Sequence, residues 1–129
     1  MKSNDLITVG VSRAELLSEL EKLLQECGSE GWDCYGASPI NHTSYEAAER
    51  FIKSLPDRIP KPEVGVIPTN GEVSFDWQEG PRKVFTISLS ESKITYASLL
   101  GVSSNNGSEN YFGEKIPEII IEGIKSVYD

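Results

Sequence analysis

The sequence predicts an α+β two-layer sandwich in the order ααββββα. Two N-terminal helices precede a four-stranded antiparallel meander, and one helix follows it, all in a single domain over residues 1–129. Three observations predict this. Two helical stripes of apolar residues occupy the first 55 residues. Four runs suited to strands come next, joined by connections too short for anything but antiparallel neighbours. A third helical stripe closes the chain.

The first stripe is Leu16, Leu17, Leu20, Leu23, Leu24 and Cys27, spaced as one face of a helix, with Glu15, Glu19, Glu21, Lys22 and Glu26 on the other face. Ser12 and Glu15 form a capping-box pattern, and Val11 and Leu16 are placed as a hydrophobic staple. Gly28 supplies a left-handed residue to end the helix. The stretch from Trp32 to Pro39 has no sustained period and reads as an ordered loop. Thr43 and Glu46 give a second capping box, Tyr45, Ala48, Phe51, Ile52 and Leu55 give the second stripe, and Pro56 stops it. Pro56, Pro60 and Pro62 make residues 56–62 a stiff extended connector.

The predicted strands are Glu63–Ile67, Glu72–Trp77, Arg82–Leu89 and Lys93–Leu100. Asn70-Gly71 is a strong hairpin signal. Val73, Phe75 and Trp77 alternate with Ser74 and Asp76, and Phe85, Ile87 and Leu89 alternate with Val84, Thr86 and Ser88. One sheet face is therefore expected under the helices, and the other against solvent or a partner. Residues 101–113 are rich in Ser, Asn and Gly and read as a long polar loop, a kind often functional. Pro117 suits the first turn of the last helix, whose stripe is Ile116, Ile120, Ile124 and Val127.

Charge narrows the function. Twelve Lys and Arg stand against 20 Asp and Glu, a net charge of −8 and a pI near 4.7. Such a surface repels a nucleic-acid backbone, so no direct nucleic-acid binding is expected. No apolar run approaches the roughly 18 residues of a membrane span. No secretory signal is readable, and two cysteines, Cys27 and Cys34, suit a reducing compartment, so a cytoplasmic protein is expected. The sequons at Asn41 and Asn106 are then accidental. The acidity sits in the terminal segments. Residues 1–33 hold seven acids and three bases, and residues 109–129 hold five acids and two bases.

Catalytic patterns are thin. His42 is the sole histidine and has no Gly-x-Ser-x-Gly elbow beside it, so a surface loop residue is the plainer reading. Glu72 and Asp76 share a strand face, but carboxylate pairs follow from composition. No phosphate-binding loop, calcium loop or zinc spacing occurs, so no metal or cofactor is expected and enzymatic activity is not favoured.

Trp32-Asp33-Cys34-Tyr35-Gly36-Ala37 is the most distinctive segment. Either Trp32 and Tyr35 bury their rings as anchors, or they are recognition side chains with Asp33 as a polar handle. This segment, the helix ending at Leu55-Pro56, the strand from Gly71 to Trp77 and the stretch from Tyr96 to Gly101 come in an order with a counterpart elsewhere. Together they resemble a widespread family of small uncharacterised bacterial proteins with a W-D-x-Y-G-A loop and a G-E-x-x-F-x-W strand, over roughly residues 30–125. Where that pattern carries Gly, this chain has Cys34. The resemblance implies an accessory protein of bacterial genomes and mobile elements, engaged in interaction rather than metabolism.

The expected function is therefore a small acidic interaction protein that binds and modulates or neutralises a protein partner, of antitoxin-like, immunity or anti-defence type. Its interaction residues would be Trp32, Asp33, Tyr35, Glu15, Glu19 and Glu26, facing a basic partner surface. The alternative is a small-molecule-binding domain or minor enzyme, with a pocket between the Trp32 loop, the sheet and the 101–113 segment. An edge strand and the exposed sheet face would also admit a homodimer.

Overall fold

A computed structural model describes the backbone of residues 4–33 and 35–128, and the side chains of residues 13–33 and 35–128. The elements are α1 (Asn4–Glu26), α2 (His42–Ser54), β1 (Glu63–Val66), β2 (Val73–Gln78), β3 (Lys83–Leu89), β4 (Lys93–Leu100), β5 (Ser103–Asn110) and α3 (Glu118–Val127). The α+β class and the antiparallel meander match the expectation, but the sheet has five strands in the order β1-β2-β3-β4-β5.

The fifth strand replaces the polar loop expected over residues 101–113. All eight of its residues pair one-to-one with β4, from Lys93↔Asn110 to Leu100↔Ser103. Burial does not create this strand, because most of its residues are exposed. The backbone ladder and the two-residue connection through Gly101, at φ 69°, create it.

Alternation places Val73, Phe75, Trp77, Phe85, Ile87, Leu89 and Ile94 on one face, all buried. The helices cover that face with Leu16 and Leu20 from α1, Ala47, Ala48, Phe51 and Ile52 from α2, and Ile120, Ile124 and Val127 from α3. Deleting the ring of a residue such as Phe51 would cost about 3–5 kcal/mol. The opposite face, with Ser74, Asp76, Thr86, Ser88, Thr95 and Ala97, carries no helix; the first four are half-buried by strand neighbours and the last two are exposed.

Three local expectations are corrected. Helix α1 is already formed at Asn4, so Ser12 is interior to it and is not its N-cap residue. The side chains of Val11 and Ser12 lie outside the described residues. Helix α2 starts at His42 with Asn41 as its cap, whose side chain accepts from the Ser44 N–H at 3.0 Å. Thr43 supports that cap by donating its hydroxyl to Asn41 Oδ1 at 2.6 Å. Gly28 is not left-handed; it is needed because a Cβ there would sit 2.7 Å from the Leu24 carbonyl oxygen.

One buried polar side chain ties the layers together. Ser44 donates its hydroxyl to the Leu89 carbonyl and accepts from the Val73 N–H at 2.8 Å. Val73 and Leu89 are the last opposed pair of the β2–β3 ladder, so α2 is pinned to the sheet at its end.

Candidate functional site

The Trp32 segment divides its residues between support and display. Trp32 is half-buried against the core, and its indole N–H donates to the Ser38 carbonyl at 2.6 Å. Asp33 Oδ1 accepts from the N–H groups of Tyr35 (2.8 Å) and Ala37 (3.0 Å), which closes the loop. Tyr35 is 91% exposed. The loop then docks on the β1–β2 turn through Ser38 N–H to Pro68 and Asn41 N–H to Gly71. Of the three candidates, Trp32 and Asp33 hold the loop, and Tyr35 alone is displayed. Cys34 lies outside the described residues. Cys27 is buried, and burial, with Glu26 beside it, pushes its thiol up.

The acidic candidates on α1 are also divided. Lys61 reaches from the connector to Glu19 and, at 3.6 Å, to Glu15. The hydrogen bond that the Lys61 ammonium donates to Glu19 pushes its pKa above the ordinary range. Arg13 binds Asp57 and donates to the Leu55 carbonyl at 3.1 Å. Glu15 and Glu19 thus strap the connector to α1, while Glu26 is exposed. His42 is exposed on the first turn of α2, and no group of three or more His, Cys, Asp or Glu converges for a metal among the described residues. No described helix is long and apolar enough to cross a membrane.

The feature that sequence reasoning missed is the β5 edge. The Tyr111 N–H donates to Ser92 O at 2.9 Å. These residues are opposed one step beyond Lys93↔Asn110. Antiparallel ladders alternate, so Ser103, Asn105, Gly107 and Glu109 turn their backbone groups to β4. Ser104, Asn106, Ser108 and Asn110 turn theirs outward. The Asn106 N–H is met by its neighbour's side chain, Asn105 Oδ1, at 2.9 Å. Of the usual guards of an edge the strand carries only the charge of Glu109, on its helix side; it has no Pro, Lys or Arg and no bulge. Exposed apolar residues stand at both ends, Val102 at 92% and Phe112 at 69%.

Beside this edge, on the helix side of the sheet, lies a cleft of about 210 Å³. Phe85, Tyr96 and Leu100 line it from the sheet, Asn105 from β5, and Ile119, Glu122 and Gly123 from α3. Two glycines shape it. A Cβ on Gly123 would sit 2.3 Å from the Phe85 ring, and one on Gly107 would sit 2.5 Å from the Tyr96 hydroxyl. Tyr96 therefore lies across Gly107 toward the open edge, its ring 6.0 Å from that of Phe85. The Trp32 loop contributes nothing to the lining. It binds the β1–β2 turn, beyond the Val73–Leu89–Ile94–Glu109 row, whereas the cleft lies toward the other end of the strands. The 101–113 segment contributes Asn105.

Tyr111, just past β5, is buried, and its hydroxyl meets no hydrogen-bond partner of good geometry among the described residues. Burial pushes its phenol up, against the opposing effects of Ser54 and Arg50. Comparison with protein-family models, with curated proteins and with solved structures finds no match.

Proposed function

We propose that this chain is a small acidic interaction protein that binds and modulates or neutralises a protein partner, of antitoxin-like, immunity or anti-defence type. The observation that supports it best is the β5 edge: eight residues long, free of Pro, Lys, Arg and bulges, and flanked by exposed Val102 and Phe112. Each outward N–H and C=O that finds a partner contributes about 0.5–1.5 kcal/mol, so the ladder and the two apolar anchors together favour binding of an extended segment. The net charge of −8 favours a basic partner and speeds its approach at low salt.

The small-molecule reading is weaker. The cleft of about 210 Å³ is smaller than the roughly 300–1,000 Å³ usual for ligand pockets, and it takes one side chain more readily than a whole metabolite. The test is co-expression of the tagged chain with the products of neighbouring genes, followed by purification at low salt. One defined protein should co-purify and dissociate as salt is raised. Recovery of none would sink the proposal.

A further inference from the structure

The open edge and the cleft beside it are two halves of one seat. We infer that an extended segment of a basic protein adds to β5 as a sixth antiparallel strand and places one Lys or Arg side chain in the cleft between α3 and β4. This inference rests on the partner-binding reading above and names the partner's chemistry.

The backbone half follows from parity. Ser104, Asn106, Ser108 and Asn110 direct their N–H and C=O groups away from the sheet. An incoming strand meets a straight run of about 27 Å, at the usual rise of about 3.4 Å per residue. Its carbonyl replaces Asn105 Oδ1 on the Asn106 N–H, so this donor already has the geometry of a bonded one.

The side-chain half follows from position and chemistry. The cleft lies over β4, one strand inward from the edge. A side chain coming from a sixth strand, roughly 4.8 Å beyond β5, has to cross β5 to reach it. At Gly107 the Tyr96 ring fills the space that a side chain of β5 would take, so the incoming side chain runs over that ring, and only a long unbranched residue spans the gap. The cleft then offers aromatic surface from Tyr96 and Phe85, aliphatic surface from Leu100 and Ile119, and the Glu122 carboxylate on the α3 wall. That combination suits the methylene stem and cationic head of Lys or Arg. Glu109 of β5 faces the same side of the sheet and adds to the attraction.

A second copy of this chain is the poorer occupant. Its own β5 offers only Ser, Asn, Gly and Glu, so nothing in it fills the cleft, and it brings a further net charge of −8. A free anion is disfavoured by Glu122.

The test is a selection with a random twelve-residue peptide library displayed on phage against the full chain. The enriched peptide is then synthesised and titrated against wild type, Asn106→Pro and Glu122→Lys. Asn106→Pro removes an outward N–H and leaves the β4 ladder intact, and Glu122→Lys changes an exposed residue. Both variants should fold, as circular dichroism would show. Enriched peptides should alternate in character and share one Lys or Arg. Each variant should weaken binding about tenfold or more, and the Ser104, Asn106 and Ser108 amides should become protected from exchange on binding. Peptides lacking a basic residue, indifference to either variant, or no enrichment would overturn the inference. So would a wild-type dimer that Asn106→Pro dissociates, since a second copy would then hold the edge. A co-purified protein that binds Asn106→Pro as well as wild type leaves partner binding standing and removes β5 as its seat.

Discussion

The two edges of this sheet are treated in opposite ways. Strand β1 has four residues, and only Val64 and Val66 turn backbone groups outward. Pro62, which has no N–H, precedes it. Helix α1 packs beside it, and Lys61 straps the connector to Glu15 and Glu19. Strand β5 is twice as long, outside every helix contact, and polar on both faces. Edges are normally guarded because unpaired backbone invites pairing. One molecule with one closed edge and one open edge points to the open one as the place where something binds.

Uncovering β1 is the most severe way to break this contrast. Leu20 is fully buried where α1 meets the core. Leu20→Ala should cost about 2–5 kcal/mol in urea unfolding and increase self-association, because α1 would then cover β1 less firmly. If stability falls but the chain stays monomeric by light scattering, α1 is a packing element and not an edge guard.

A sharper test uses two adjacent positions on β5. Asn105 bonds β4 through its backbone and Asn106 does not. Asn105→Pro should lose a ladder bond and cost about 1–2 kcal/mol or more, whereas Asn106→Pro should stay within about 0.5 kcal/mol of wild type. Equal losses would mean that the strand's parity is wrong.

The smallest expected effect concerns Tyr111, which follows the open strand into the core. Tyr111→Phe removes a buried hydroxyl that meets no well-aligned partner among the described residues, and should raise stability by about 1 kcal/mol at neutral pH. The phenol's folded pKa is raised, so its neutral form is the one the fold prefers. Its stabilising share is complete below the ordinary tyrosine value near 10 and falls as pH rises through the folded value. Lys61, Tyr45 and Tyr128 are raised as well and lose their shares over the same alkaline range. Stability from these groups should therefore hold to about pH 9 and fall above 10, less steeply in Tyr111→Phe. A pH series of melting temperatures checks the slope.

The amphipathic parts of the fold were legible, because burial writes a period into the sequence. The stripes of Leu16 to Cys27, Tyr45 to Leu55 and Ile116 to Val127, and the alternation in β2 and β3, all face the core as expected. The N-terminal half of α1 was not legible. Thr8, Gly10 and Val11 are poor helix formers, and the capping-box pattern at Ser12 suggested a later start. At α2 two good caps compete, and Asn41 takes the role with Thr43 as its support. Strand β5 left no apolar period because neither of its faces is buried. Its only local mark was Gly101 in a position suited to a hairpin turn. The candidate site was hidden for a related reason. Phe85, Tyr96, Asn105 and Glu122 are far apart in sequence and meet only once β4, β5 and α3 are assembled. Trp32 stood out as a motif, and much of what makes it distinctive is its work in holding a loop closed.

The open edge is joined to the interior by aromatic rings. Tyr96 neighbours Phe85, Phe85 neighbours Trp77, and Trp77 neighbours Phe75 and Phe51, with centroid separations from 6.0 to 6.5 Å. This file runs from β4, beneath the cleft, through the sheet to the middle of α2. Close-packed rings have little slack, so a displacement of Tyr96 passes inward as a shift of its neighbours. The rim at Tyr96 and the helical layer at Phe51 thus belong to one continuous aromatic file.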